Sequence, residues 1–351
     1  MRIANYKKLF LIGGGSITIY LFLVIRLYHF EKNLENAQIE SLSDAFWYSM
    51  VTLTTVGYGD IVPNSEGGRI IGYILLFLSI GIYGILIGQF SSVISRINEN
   101  NKLGMHGTTL QNHVVVIGWT HFGKTVIDQL IAAGRKVAII TKNRDNIDLL
   151  HELYDKKNVF ILYSDYENFD LLHKANIENC SSIFINLEND TDKLVYVLNI
   201  KKHFGNQQYI VTLENANLKQ TFLNAGVKYA ISKNEIASRL LASYMFEPDV
   251  AQYSEEILAY PVTESDHDIK QYKVLAGNPC IDKAYIEVFY ELKKQHNVIL
   301  IGAVREEAGK KTVYKNPDDD FIIKSNDYLL MIMNKTAQTS IKSLFSIEEG
   351  I

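Results

Sequence analysis

The run Thr54-Thr55-Val56-Gly57-Tyr58-Gly59-Asp60 constrains this chain more than any other stretch. Gly57 and Gly59 alternate with ordinary residues, so the backbone can change handedness at every second position, which consecutive L-residues resist. Such a backbone turns successive carbonyl oxygens toward one axis and can face a dehydrated cation. A glycine-rich surface turn would account for the glycines but not for what flanks them. Leu9 to Tyr28 and Arg69 to Ser95 are apolar runs, each long enough to cross the roughly 30 Å hydrocarbon core of a bilayer as a helix.

With 351 residues the chain exceeds one typical domain, and two or three are expected. Its mean hydropathy of +0.00 averages an apolar N-terminal part with a longer part of ordinary soluble composition. The net charge of -4 is small and the basic residues are scattered, which excludes the footprint of a nucleic-acid partner. Cys180 and Cys280 are the only cysteines, so there is neither a disulfide framework nor a zinc-ligand cluster, and a reducing cytosol suits them.

Arg2, Lys7 and Lys8 precede the first apolar run, and Glu31, Glu35, Glu40 and Asp44 follow it, which places the N-terminus in the cytoplasm and the acidic loop outside. The run is long for a signal peptide, and no small-x-small cleavage site follows it. Ser43 to Leu53, with Ser43 or Asp44 as N-cap, is too short to span and reads as a re-entrant helix whose carbonyl end favours a cation. Trp47 and Tyr48 are expected to pack around the loop as a cuff. The second run carries Gly72, Gly81, Gly84 and Gly88; small residues there serve close packing or bending, and Gly81 or Gly84 is the hinge candidate for opening the inner end. Nothing before the first span has the repeated basic spacing of a voltage sensor.

Two membrane helices around a re-entrant loop with TTVGYGD resemble the minimal potassium-channel pore. TVGYG is the run by which potassium filters are known, so this is a motif match rather than a derivation. The resemblance implies that Thr55, Val56, Gly57, Tyr58 and Gly59 form the filter, with K+ held at Thr55, Val56, Gly57 and Tyr58. A transporter-type uptake system would need several degenerate loops of this kind in one chain. Residues 1–97 are assigned to the pore, and the polar residues 98–111 to a linker.

Over residues 112–247, short β-branched runs alternate with amphipathic stretches, as in a Rossmann fold. Strands are predicted at His113–Ile117, Lys136–Thr141, Asn158–Leu162, Ser182–Asn186, Gln208–Leu213 and Lys228–Ile231. After the first comes Gly118-Trp119-Thr120-His121-Phe122-Gly123, where a GxGxxG loop would cradle a pyrophosphate at a helix N-terminus. It keeps the first and third glycines, with Thr120 in place of the second. At the end of the second strand, where an acidic residue usually grips a ribose, stand Thr141, Lys142, Asn143 and Arg144. NAD or an adenine nucleotide (ADP or ATP) could bind at Gly118–Gly123, Thr141, Lys142, Arg144 and Asp165; alternatively the glycines serve only helix-strand packing. A hydride-transfer enzyme lacks a visible substrate domain with an acid-base pair, so the chain is read as a non-enzyme.

A pore followed by this fold is similar to the prokaryotic channels gated by RCK domains (regulators of potassium conductance), which include a calcium-gated archaeal channel. The resemblance implies a homotetramer in the plasma membrane, a cytoplasmic octameric ring of RCK lobes paired through a crossing helix, here Ser232 to Phe246, and a ligand that moves the inner helices. At the calcium-ligand places of the archaeal relative this chain has Asn186, Thr212 and Glu214; only Glu214 is acidic, so Ca2+ there is doubtful. Asp190 and Asp192 are read as capping and starting a helix, beside Glu188. Residues 248–351 fit the smaller α+β C-terminal RCK lobe, with strands near Ile257–Pro261, Val298–Val304, Thr312–Lys315 and Tyr328–Met333 and helices at Asp282–Gln295 and Thr336–Phe345. His267 and the Asp318–Asp320 run are read as solvated loops. The rival from another class is a soluble nucleotide-sensing subunit of a potassium uptake system, made by translation from Met105.

Overall fold

The computed structural model describes residues 2–261, 263–307 and 309–347, with side chains from Ile17 onward except that of residue 310. The chain divides into two compact units, Met1–Glu99 and Asn100–Ile351.

The first unit holds α1 (Arg2–Glu31), α2 (Leu42–Leu53) and α3 (Glu66–Lys102). At 1.5 Å per residue α3 is about 55 Å long, and its composition suits a membrane crossing. Its buried residues Gly68, Ile71, Gly72, Leu75 and Ser79 fall at helical spacing. Of these, Ile71 and Leu75 form one core with Val24 and Leu27 of α1, Ile39, and Ala45 of α2. From Ile80 to Asn98 every residue of α3 is exposed on the single chain, although Ile85, Ile87 and Phe90 are large and apolar. That surface calls for lipid or further copies of the chain.

The cap of α2 lies earlier than Ser43 or Asp44. Ser41 is the N-cap: its Oγ accepts the Asp44 N–H at 3.2 Å while the Asp44 carboxylate accepts the Ser41 N–H at 2.8 Å. Ser41-x-x-Asp44 thus forms a capping box, with Asp44 three residues inside the helix.

The second unit opens with a parallel sheet, built from β1 (Val114–Ile117), α4 (His121–Ala132), β2 (Val137–Thr141), α5 (Asp145–Leu153), β3 (Val159–Tyr163), α6 (Phe169–Leu172), β4 (Ser182–Ile185), α7 (Asp190–His203), β5 (Tyr209–Leu213), α8 (Lys219–Asn224) and β6 (Tyr229–Ser232). The strand order β3-β2-β1-β4-β5-β6 is the doubly wound order of a Rossmann fold, and each predicted strand is found within a residue or so. Every residue of β1 and β2 is buried, which is why these strands read as unbroken apolar runs.

The stretch expected to be a linker is more ordered than its polarity suggests. Residues 98–102 continue α3, and the residues after it are stitched to β3 and to the turns that follow it. Tyr163 N–H donates to Leu103 O at 3.0 Å, Thr108 N–H to Lys174 O at 2.9 Å, and Asn176 Nδ2 to Leu110 O at 2.7 Å. Gly104, at φ +74°, passes so close to Ile161 O that a Cβ would collide with it.

There follow α9 (Lys233–Phe246), α10 (Pro248–Leu258), β7 (His267–Lys273), α11 (Tyr285–His296), β8 (Ile299–Glu307), β9 (Lys310–Lys315), β10 (Tyr328–Asn334) and α12 (Lys335–Phe345). The four strands pair antiparallel in the order β7-β10-β8-β9. The expected strand at Ile257–Pro261 is absent: Pro248 starts α10 and the helix runs through Leu258. Conversely, His267 begins a strand rather than a loop. The inward positions of β7 are Asp268, Lys270 and Tyr272, and Asp268 and Lys270 form a buried ion pair at 2.8 Å. With charges inside and Ile269 outside, the usual alternation of polarity is inverted. The Asp318–Asp320 run is an exposed turn, as read from the sequence.

Both cysteines are free. Burial pushes the Cys180 thiol up to about 12 and the Cys280 thiol up to about 11, from an ordinary 9.0. Only the thiolate is nucleophilic, so iodoacetamide at pH 8 is expected to label neither in the folded protein and both in denaturant, as read by mass spectrometry. Above pH 9 the unfolded chain ionises these thiols before the folded one does, so their contribution to stability is complete below that pH and is lost as pH rises toward about 11 for Cys280 and about 12 for Cys180.

Candidate functional site

The filter run leaves α2 through a tight turn. Val56 and Gly57 N–H both donate to Val51 O, at 3.1 and 3.3 Å, and Tyr83 OH of α3 donates to Thr54 O at 3.1 Å. Thr55, Gly57 and Gly59 have φ of 57°, 60° and 74°, so every second residue is left-handed. This alternation brings successive carbonyls to one side of the strand. Left-handed Thr55 is β-branched and stores strain.

Of the expected cuff, Trp47 packs on the filter: its ring stacks on Tyr58 at 6.1 Å between centroids, and its Nε1 donates to Asp60 Oδ2 at 3.0 Å. Tyr48 instead turns to α3, where its hydroxyl occupies the space a Cβ on Gly72 would need. Gly72 therefore serves packing. Gly81 and Gly84 lie in unbroken helix with nothing within 4 Å of an added Cβ. Val56 and Tyr58 are 53% and 68% exposed on the single chain.

At the carboxyl ends of β1, β2 and β4, in the crevice where Rossmann folds hold ligands, opens a cavity of about 760 Å³. Of the residues singled out from sequence, Gly118, Trp119, Thr120, Thr141, Lys142 and Asp165 line it; His121, Phe122, Gly123 and Arg144 do not. Phe122 faces a second cavity on the other side of α4, and Arg144 precedes α5 as its N-cap residue. Gly123 acts one layer back, since a Cβ there would collide with Asn186 Nδ2.

Thr120 explains the departure from three glycines. It is the N-cap of α4, and its Oγ1 accepts the Gly123 N–H at 3.1 Å. Asn186, buried at the end of β4, holds Thr120 Oγ1 at 2.9 Å and donates to Gly118 O at 3.4 Å. The Gly118–Gly123 loop is thus fixed by a residue 66 positions beyond Thr120. Sequence reasoning noted Asn186 only as a poor calcium ligand. It missed Tyr166 and Tyr196 altogether; burial raises both phenols above their ordinary value, so they face the cavity as neutral groups. Lys142 Nζ sits 5.5 Å over the Tyr166 ring. Glu167, Glu188 and Asp192 add carboxylates around the same opening.

Glu214 lies elsewhere, its carboxylate paired with Lys233 Nζ. Among the described residues no three His, Cys, Asp or Glu side chains gather as a metal site. Asp190 is not the cap of α7; Asn189 is, accepting the Thr191 N–H at 2.7 Å. The Asp190 carboxylate reaches Glu214 and Asn215 N–H, each at 3.0 Å, and the buried Lys193 Nζ at 2.9 Å. Burial raises its pKa, but hydrogen bonds from Asn215, Lys193 and Glu214 outweigh that and hold it below the usual carboxylate value. Asp190→Asn strands the buried ammonium and should cost on the order of 3–5 kcal/mol, read as a lower midpoint of thermal unfolding.

Residues 10–96 match the ion-channel family and residues 114–233 the TrkA-N domain family. The chain is 24% identical over 313 residues to the calcium-gated potassium channel TvoK of Thermoplasma volcanium, covering 86% of this chain and 85% of that one. It is 24% identical over 284 residues to potassium channel protein 1 of Methanocaldococcus jannaschii, covering 79% and 82%. The human SLO3 gating ring shares its fold with a TM-score of 0.50 at 12% identity, over 67% of this chain and 46% of that chain. An ion-channel match followed by a TrkA-N match, in a chain similar to these potassium channels over about four fifths of its length, matches it to the prokaryotic potassium channels that join a two-helix pore to an RCK domain.

Proposed function

We propose that the chain is a potassium-selective channel gated by a ligand on its RCK domain, with K+ as the permeant ion and Thr55, Val56, Gly57, Tyr58 and Gly59 as one quarter of the filter. The observation that carries this reading is the alternation of left-handed residues at 55, 57 and 59 directly after α2, in a chain whose α3 can cross a membrane. Conduction makes and breaks no bond, and the relatives named above are channels rather than enzymes. The assembly is a homotetramer in the plasma membrane with its RCK domains in the cytoplasm, joined through α9 and the lobes of further copies into an octameric ring.

The gating ligand is a nucleotide, NAD or an adenine nucleotide, held in the cavity at Gly118, Thr120, Thr141, Lys142 and Asp165. A volume of about 760 Å³ and the crevice position suit it. Residues 103–111, fastened to the sheet, make a stiff connection through which a change in the lobe reaches α3. The bend falls at Gly81 or Gly84, just beyond Ser79, the last buried residue of the outer half. Calcium, the ligand in the name of the TvoK relative, is a second candidate ligand; Glu214 would have to leave Lys233 to bind it. The soluble-subunit reading keeps one observation in its favour: a product starting at Met105 would retain every strand of both sheets. Immunoblotting for that product, lost when Met105 is replaced, decides it.

The test is flux through the purified chain in lipid vesicles, with potassium or sodium and with NAD, NADH, ATP, ADP or calcium added singly. Potassium flux well above sodium flux, changed by at least one nucleotide, is expected. Equal passage of both ions overturns the channel reading, and selective flux indifferent to every nucleotide overturns the gating ligand alone.

A further inference from the structure

The charged side chains lining the cavity of about 760 Å³ are acidic with one exception. Asp165 and Glu167 follow β3, Glu188 follows β4 and Asp192 stands in α7, whereas Lys142 is the one cation of the lining among the described residues. Lys142 is exposed and is the first residue beyond β2. Its Nζ lies 5.5 Å over the Tyr166 ring, and it is joined to no carboxylate among the described residues. Thr141, the last residue of β2, is buried, and its hydroxyl serves its own turn: Oγ1 accepts the Asn143 N–H at 3.2 Å and Asn146 Nδ2 at 3.3 Å. Asn143 Oδ1 accepts the Asp145 N–H at 3.0 Å and leads the chain into α5. The end of β2 therefore presents a cation to the cavity and no anionic acceptor.

In a Rossmann crevice the pyrophosphate of a dinucleotide lies at the N-terminus of the first helix, and the adenosine ribose at the end of the second strand, where a carboxylate accepts from its free hydroxyls. A carboxylate there repels a phosphate carried on the 2′-oxygen, and a cation in its place attracts one. We propose that this cavity selects nucleotides phosphorylated on the 2′-oxygen of the adenosine ribose, the NADP class rather than the NAD class, with Lys142 as the specificity-determining residue. The proposal rests on the nucleotide reading above and narrows it. Two features of the lining attract negative charge, the N-terminus of α4 capped by Thr120 and the Lys142 ammonium, and the fold puts them at the places of the pyrophosphate and of the ribose. A cation resting on a ring face keeps its N–H donors, so Tyr166 positions Lys142 without occupying what a phosphate needs. Arg144, exposed at the start of α5, adds positive charge two residues on. The competing group on this side is Asp165, whose Oδ1 accepts the Glu167 N–H at 3.2 Å. Were Asp165 to take the ribose hydroxyls, NAD would bind the tighter.

Adenosine 2′,5′-bisphosphate and adenosine 5′-monophosphate differ only in the 2′-phosphate, as NADP and NAD do. The purified full chain is titrated calorimetrically with all four. Each 2′-phosphorylated ligand is expected to bind about tenfold tighter than its partner or better, the scale of one hydrogen bond between charged groups, and the margin is expected to shrink with added salt. Lys142→Ala brings both ratios to within about threefold of unity, and Lys142→Glu turns them in favour of the ligands without the 2′-phosphate. Lys142 is exposed, so both variants keep the core, and circular dichroism checks that they do. A wild type that binds NAD as tightly as NADP overturns the proposal and leaves the nucleotide reading standing, and so does a folded Lys142→Ala protein that retains the full preference. A wild type that binds none of the four ligands defeats the nucleotide reading itself.

Discussion

Gly57→Ala is expected to abolish potassium flux through the reconstituted chain while leaving the proposed tetramer assembled. Gly57 sits at φ +60° with nothing within 4 Å of an added Cβ, so the effect arises from the backbone rather than from a clash. A side chain in the left-handed region costs roughly 1–2 kcal/mol, and the proposed tetramer would incur that cost four times around one axis. Thr55 already carries strain of this kind two residues earlier, so the run has little tolerance for more. The chain relaxes to the right-handed region, the carbonyl at that level turns away, and the ion loses a ring of ligands. Rubidium or potassium uptake into vesicles, beside size-exclusion chromatography of the same sample, measures both halves of the expectation. Undiminished flux from an assembled Gly57→Ala tetramer would contradict the assignment of the filter.

Gly123→Asp is expected to weaken the proposed nucleotide binding at least tenfold, and the geometry changes the reason from the one sequence suggests. From the motif alone, an aspartate there repels phosphates at the helix N-terminus. In the folded chain Gly123 is buried against Asn186, so the new side chain drives Asn186 from its bonds to Thr120 and Gly118, and the loop loses its anchor. The tenfold figure corresponds to about 1.4 kcal/mol, the scale of one lost buried hydrogen bond. Calorimetric titration with NAD and ADP measures it, with circular dichroism showing that the sheet persists. Unchanged affinity in a folded Gly123→Asp protein removes the nucleotide from this cavity.

The two replacements differ in how much of their logic a reader of the sequence possesses. At Gly57 the demand is local: handedness at a single residue decides it. At Gly123 the decisive partner is 63 residues away, and no spacing rule connects a glycine on α4 with an asparagine at the end of β4. The same division runs through the rest of the chain. Trp47 stacks on Tyr58 of the glycine-alternating run, whereas Tyr48, its neighbour, faces another helix because adjacent residues on a helix point about 100° apart.

What the sequence by itself determined were the features set by local periodicity and local backbone demand: the filter run, the long apolar helix α3, and the six strands of the parallel sheet, whose buried β-branched runs can belong to little else. What only the tertiary structure decided were the partners of polar groups. Asp190 serves a loop 24 residues on as well as Lys193 of its own helix, β7 hides an ion pair where apolar residues would normally be, and Glu31, one acidic residue among several after the first apolar run, is the one that is buried. The physical reason is common to all three. A buried charge is tolerated only where donors or an opposite charge converge on it, and that convergence is a property of the folded chain, not of neighbours in sequence.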